Sequence, residues 1–148
     1  MDSKEEIVFA LNKLNFIQLY KDLVNKYSGE ISRNFELDNV VVLQLIKELG
    51  YSAKYDKREN FFGIDQKIGV YEFSFNIAFN SNSVELIWAV LKNGAIIRVG
   101  GPWGAICDYL LGDDCQIGEP IFQSIEELKL ILIEAFEVYE KFKSVVLT

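Results

Sequence analysis

The sequence contains no histidine, only two cysteines and no tract of clustered basic residues. The first absence removes the commonest general base and zinc ligand. It also excludes Ser–His and Cys–His nucleophilic machinery, leaving only Ser–Lys or Cys–Lys pairs for such chemistry. The chain sets 15 Lys and Arg against 22 Asp and Glu, a net charge of −7, so a phosphate backbone is a poor partner. No apolar run approaches the ~18 residues that cross a bilayer. The runs Val40–Leu43 and Leu130–Ile133 sit inside periodic helical patterns. The first six residues are not the basic lead of a signal peptide. With no sign of secretion, Cys107 and Cys115 are expected as free thiols in a reducing cytoplasm. No linker, repeat or low-complexity stretch divides the chain, so residues 1–148 are expected to form a single domain.

Half of the 148 residues are apolar, 20 are aromatic and the mean hydropathy is +0.12, which excludes a solvated disordered polymer. Ser3 with Glu6 reads as a capping box that starts a helix. Its apolar residues recur at helical spacing through Ile7, Leu11, Leu14, Tyr20, Leu23 and Tyr27 until Ser28 and Gly29 stop it. A second helix is expected from Asp38, closed by Gly50.

From Tyr51 to Val99 the period changes to two. Residues 80–83 (NSNS) and Asn93-Gly94 are turn chemistry. Placing 79 opposite 84 pairs Phe79 with Val84, Ile77 with Leu86, Phe75 with Trp88 and Phe73 with Val90, all on one side. A two-residue turn at Asn93-Gly94 sets Val90 against Ile97 and Trp88 against Val99 on the same side. Two independent turns thus agree on one apolar face, which a one-residue slip would destroy. The opposite face carries Glu72, Ser74, Asn76, Ala78, Glu85, Ala89 and Arg98, broken by Ile87, Leu91 and Ile96. Such a half-polar face fits an antiparallel sheet with helices on one side. Phe61–Asp65 and Tyr51–Tyr55 are expected to add two strands. Pro102 opens a short helix ending at Gly112, a polar loop runs to Pro120, and Ser124 with Glu127 caps a long final helix. Leu128, Ile131, Leu132, Ala135, Tyr139 and Phe142 form its inward stripe. The expected fold is α+β: two N-terminal helices, a meander of about four to five antiparallel strands, then a short and a long helix on one face.

Few residues suggest chemistry. Cys107 lies on the stripe of the short helix with Trp103 and Leu110, where cysteines are ordinarily small core residues. Gly100, Gly101 and Gly104 match neither phosphate-loop pattern and read as a tight strand-to-helix turn. Asp113, Asp114 and Glu119 depart from calcium-loop spacing, and the two cysteines match no zinc motif. Neither metal nor cofactor is expected, and no catalytic residue is assigned. Glu72 and Glu85 fall far apart along the hairpin and read as solvated sheet residues.

Charge is more informative. Residues 108–140 hold nine acids against the single Lys129. Glu126 and Glu127 suit a helix start. Asp108, Asp113, Asp114, Glu119 and the later helix acids Glu137 and Glu140 are not explained that way. Such a concentration serves either as a solvated face or as a surface that speeds capture of a basic partner.

The C-terminal half resembles a known group. Gly100-Gly101-Pro102-Trp103-Gly104, a short helix to Leu111-Gly112-Asp113, then PIFQSIEEL over 120–128 and a final helix with Phe136, Tyr139 and Phe142 carry the likeness. They resemble small bacterial immunity proteins encoded beside polymorphic toxins of contact-dependent inhibition and related systems. The resemblance covers about residues 95–147 and rests on structural punctuation rather than chemistry. It implies a cytoplasmic, non-enzymatic inhibitor of a cognate toxin, often a nuclease with a basic cleft. On that reading Asp108, Asp113, Asp114, Glu119, Glu126, Glu137 and Glu140 form the charged surface. Trp103 and Tyr109 would be its aromatic anchors, since Trp and Tyr dominate hot spots; core placement is the competing reading for both. Two alternatives stay open: an acidic secretion chaperone holding an effector, and a small-ligand module using the sheet face around Glu72, Ser74, Asn76 and Arg98.

Overall fold

The first apolar run folds into two helices rather than one. In the computed structural model, which describes residues 1–148, α1 (Ser3–Lys13) and α2 (Phe16–Lys26) meet at Asn15. Asn15 has a φ of 59°, left-handed backbone that a short polar side chain tolerates. The turn lets both apolar stripes, Ile7–Ala10–Leu11 and Phe16–Tyr20–Leu23, point into one core. The expected Ser3–Glu6 box does not form. Asp2 is the cap, accepting the Glu5 N–H at 2.8 Å, because the Glu6 carboxylate is taken by Tyr71 and Lys92. α3 (Asn39–Glu48) begins where expected, with the Asp38 carboxylate on the Val40 N–H, and ends at Gly50, φ +94°.

Six strands follow without an intervening helix: β1 (Lys54–Asp56), β2 (Phe61–Ile68), β3 (Tyr71–Asn80), β4 (Ser83–Lys92), β5 (Ala95–Ile96) and β6 (Gly101–Pro102). All pair antiparallel, in the order β1-β2-β3-β4-β5, with β6 also on β4. The hairpin register is the one that the apolar pattern demands, Phe79 facing Val84 through to Phe73 facing Val90. Asn93 and Gly94 both take positive φ, as a type I′ turn requires. Beyond Ile97, whose N–H donates to the Val90 carbonyl, the expected pairing of Trp88 with Val99 fails. Trp88 faces Gly101 instead. Val99 folds back onto the Ile97 carbonyl, and Gly100 passes so close to β4 that a Cβ there would lie 2.8 Å from the Trp88 carbonyl oxygen. The strand expected over Tyr51–Tyr55 shrinks to β1, because Tyr51 leaves the sheet to stack on Phe136 at 4.1 Å.

Pro102 caps α4 (Trp103–Leu111), one place earlier than expected, and Ser124 caps α5 (Ile125–Val146). The Glu127 carboxylate returns to the Gln123 N–H, so its capping box closes one residue upstream. The helices bury one sheet face, with Trp88 stacked on Phe142 and Phe75 on Trp103. Each ring so buried stabilises the fold by roughly 1.5–3 kcal/mol. The architecture is α+β with a long C-terminal helix, and no helix is long and apolar enough to cross a membrane.

Two polar devices fix the margins of this core. Gln66, on the inner face of β2, accepts from Tyr139 Oη at 2.8 Å and from the buried Lys143 ammonium at 2.6 Å. The segment before α5 covers the free edge of β4: the Val84 N–H donates to the Pro120 carbonyl, and the Ile121 N–H to that of Tyr27. That cover is what brings Glu119 to the sheet.

Candidate functional site

α4 is amphipathic by composition. Trp103, Ile106 and Cys107 turn inward, which forces Tyr109 outward to 47% exposure. Trp103 is not an anchor for any partner. It is 1% exposed, enclosed by Phe16, Tyr20, Phe75 and Trp88. Burial pushes the Cys107 thiol up to about 11, the opposite of an activated nucleophile, and burial also raises that of Cys115. Both thiols are free.

The end of α4 is built almost wholly from acceptors. Gly112 closes the helix at φ +67°, and three aspartates then shape the loop with their own carboxylates. Asp108 accepts the Cys115 N–H at 2.8 Å, Asp113 that of Asp114 at 2.8 Å, and Asp114 that of Gln116 at 3.1 Å. No basic residue occupies the last turn of α4, and none forms an ion pair with Asp108, Asp113 or Asp114. The carboxyl end of a helix already carries partial negative charge, so the helix field opposes these carboxylates while their bonds to loop N–H groups hold them in place. Asp113 and Asp114 are nevertheless exposed, as are Tyr109 and Leu111 in the helix before them.

Side chains of α1 approach Tyr109. The Lys4 ammonium lies 5.0 Å from the centre of the Tyr109 ring, and the two residues line one open groove of about 550 Å³ with Glu5, Val8 and Phe9. Phe9 is 52% exposed. Its position off the Ile7–Leu11–Leu14 stripe is the sequence signal that would have found it.

The other acids do not join this end. Glu140 accepts from Tyr51 Oη at 3.0 Å and pairs with Lys143 at 2.7 Å, while Glu134 holds Lys26 and Tyr27. Burial and the Glu134 carboxylate push the Tyr27 hydroxyl up to about 12. Glu126 and Glu137 stand unpaired on the outward face of α5. α2 packs against both α4 and α5, so the acidic stretch divides into two surfaces. Glu119 belongs to a third place, a groove with Ile31, Arg33, Ser81 and Ser83. Burial, and then the neighbouring Glu85 carboxylate, raise its pKa above the usual carboxylate range. Glu72 and Glu85 are indeed apart, facing Leu91 and Ala78; it is Glu119 that comes to Glu85. No three Cys, Asp or Glu side chains are gathered to hold a metal ion.

No protein-family model, curated protein or solved structure matches this chain. Its function is therefore read from its own residues. On the polar sheet face Ser74 donates to Asp65 across the strand pair, and none of the principal grooves is lined by Glu72, Ser74 or Asn76; Arg98 alone of the four lines one, with Asp2, Lys92 and Ile96.

Proposed function

We propose that this protein binds a basic protein partner through the carboxyl-terminal end of α4, and that the partner is a toxin that it neutralises. The observation that carries the reading is that the carboxylates of that end form no ion pair. Asp113 and Asp114 lie at the negative pole of α4 with no cation in its last turn. The field of the helix opposes their charge there, and a cationic partner relieves that repulsion. Tyr109 and Leu111, exposed on different sides of the last turns of α4, each offer apolar area to a partner that reaches this end. Glu126 and Glu137 extend the negative field that steers a basic partner without being needed in contact. The resemblance of residues 95–147 to immunity proteins supplies the choice of a toxin as partner. Nothing in the reading requires a catalytic group or a cofactor.

The test is co-expression with the product of the gene immediately upstream, which the reading expects to be a toxin; a gene there that encodes no toxin would overturn it. Growth is expected to be restored by the native protein and not by the Asp113→Lys, Asp114→Lys variant. Equal protection by both would overturn the reading.

A further inference from the structure

We infer that the groove between the first turn of α1 and β5 receives an extended acidic segment of a partner protein, which joins the sheet as a strand beside β5. Such binding is separate from the capture of a basic partner by the end of α4 and does not depend on it. The Ile97 N–H donates to the Val90 carbonyl, so Leu91 and Ile96 form a non-hydrogen-bonded pair of the β4–β5 ladder. Ile96 therefore turns its N–H and carbonyl away from β4, and neither meets another main-chain group. Arg98, two residues on, likewise makes no main-chain hydrogen bond. Free groups at alternate residues of an edge are the template that an added strand completes. Ile96 is 62% exposed beside them, and an open groove of about 420 Å³ runs along this edge.

The side chains select the strand. Lys4, Lys92 and Arg98 line the groove against one acid, Asp2, whose carboxylate accepts the Glu5 N–H. Glu6 pairs with Lys92 at 3.0 Å, which still leaves the cations in excess. Lys4 and Arg98 form no ion pair. Each of the other four principal grooves is lined by a single Lys or Arg. An incoming strand with acids at alternate positions carries them on one face, where these cations neutralise them. A second copy of this chain is a poor occupant. Pairing β5 with its own counterpart gathers Lys92 and Arg98 of both copies along one seam.

The probe is a blocked pentapeptide alternating glutamate and valine, titrated into the isotope-labelled full chain beside its counterpart alternating lysine and valine. Amide resonances of Ile96 and Arg98 are expected to shift with the first peptide and not with the second. Ile96→Pro removes an N–H that the fold does not use, and is expected to weaken the first peptide about tenfold. Ile96→Ala keeps that N–H and should weaken it about twofold, and Arg98→Gln about threefold. The amide spectrum of each variant reports whether the fold is kept. If the Pro variant binds as well as the Ala variant, the peptide is held by charge alone and strand addition is overturned. Equal shifts with the lysine peptide overturn the acidic occupant. Shifts of these amides on raising the protein concentration alone mean that copies pair there, which also overturns it. No shift at these amides with either peptide overturns the site, and leaves the capture of a basic partner at α4 standing.

Discussion

Asn82 and Phe122 are bonded to each other twice: the Phe122 N–H donates to the Asn82 main-chain carbonyl, and Asn82 Nδ2 donates to the Phe122 carbonyl, both at 2.9 Å. The same side chain donates to the Glu30 carbonyl and accepts the Ser32 N–H at 2.7 Å. Asn82 is 1% exposed, and its amide ties the β3–β4 turn, the loop after α2 and the segment before α5 into one unit. Replacing it with Ala strands these buried groups and is expected to cost about 2–3 kcal/mol. Asn82→Asp should cost at least as much, since a carboxylate cannot donate to the two carbonyls. Urea unfolding of both variants checks this.

The bend at Asn15 allows a second prediction. A left-handed residue with a Cβ branch is strained, whereas glycine is not. Asn15→Gly is expected to be near neutral and Asn15→Val to lower stability by about 1–2 kcal/mol. Equal urea midpoints would show that the two helices do not depend on that backbone.

Glu119 should make stability depend on pH. Its folded pKa lies above the ordinary value of 4.5, first through burial and then through Glu85. A raised carboxyl contributes stability that is full below its unfolded pKa and lost as pH rises through the folded one. Glu119→Gln, which stays uncharged, is therefore expected to unfold at higher urea than the native protein at pH 7. The difference should vanish below about pH 4.

The two thiols should differ in reactivity. Cys107 is buried with its thiol pushed up to about 11, while Cys115 is part-exposed. A thiol-directed reagent is expected to label Cys115 first and to reach Cys107 only as the protein opens. Peptide mapping over time separates the two.

These residues also show what could be read from the sequence. The β3–β4 register was legible because two strands with period-two patterns and an Asn-Gly turn leave one apolar solution. The break at Asn15 was not, since the residues on either side keep helical spacing across it. Trp103 and Tyr109 occupy one short helix, and their opposite fates follow from its rotation against Phe16 and Trp88. The acidic stretch over 108–140 was visible in composition, but its division was not. That depends on α2 packing against both α4 and α5, and on the cover of the β4 edge, both long-range contacts. Glu119 beside Glu85 is likewise a product of that cover.

The central claim, that the end of α4 captures a basic partner, is tested most directly by association kinetics across salt with the toxin that the proposal expects from the gene immediately upstream. From about 0.05 to 0.5 M salt the association rate should fall steeply, as for electrostatically steered encounters. In Asp113→Asn, Asp114→Asn it should be about tenfold slower at low salt, with a shallower dependence. Glu126→Gln, Glu137→Gln should change it much less. An unchanged rate and slope in the Asp113, Asp114 variant would contradict the account.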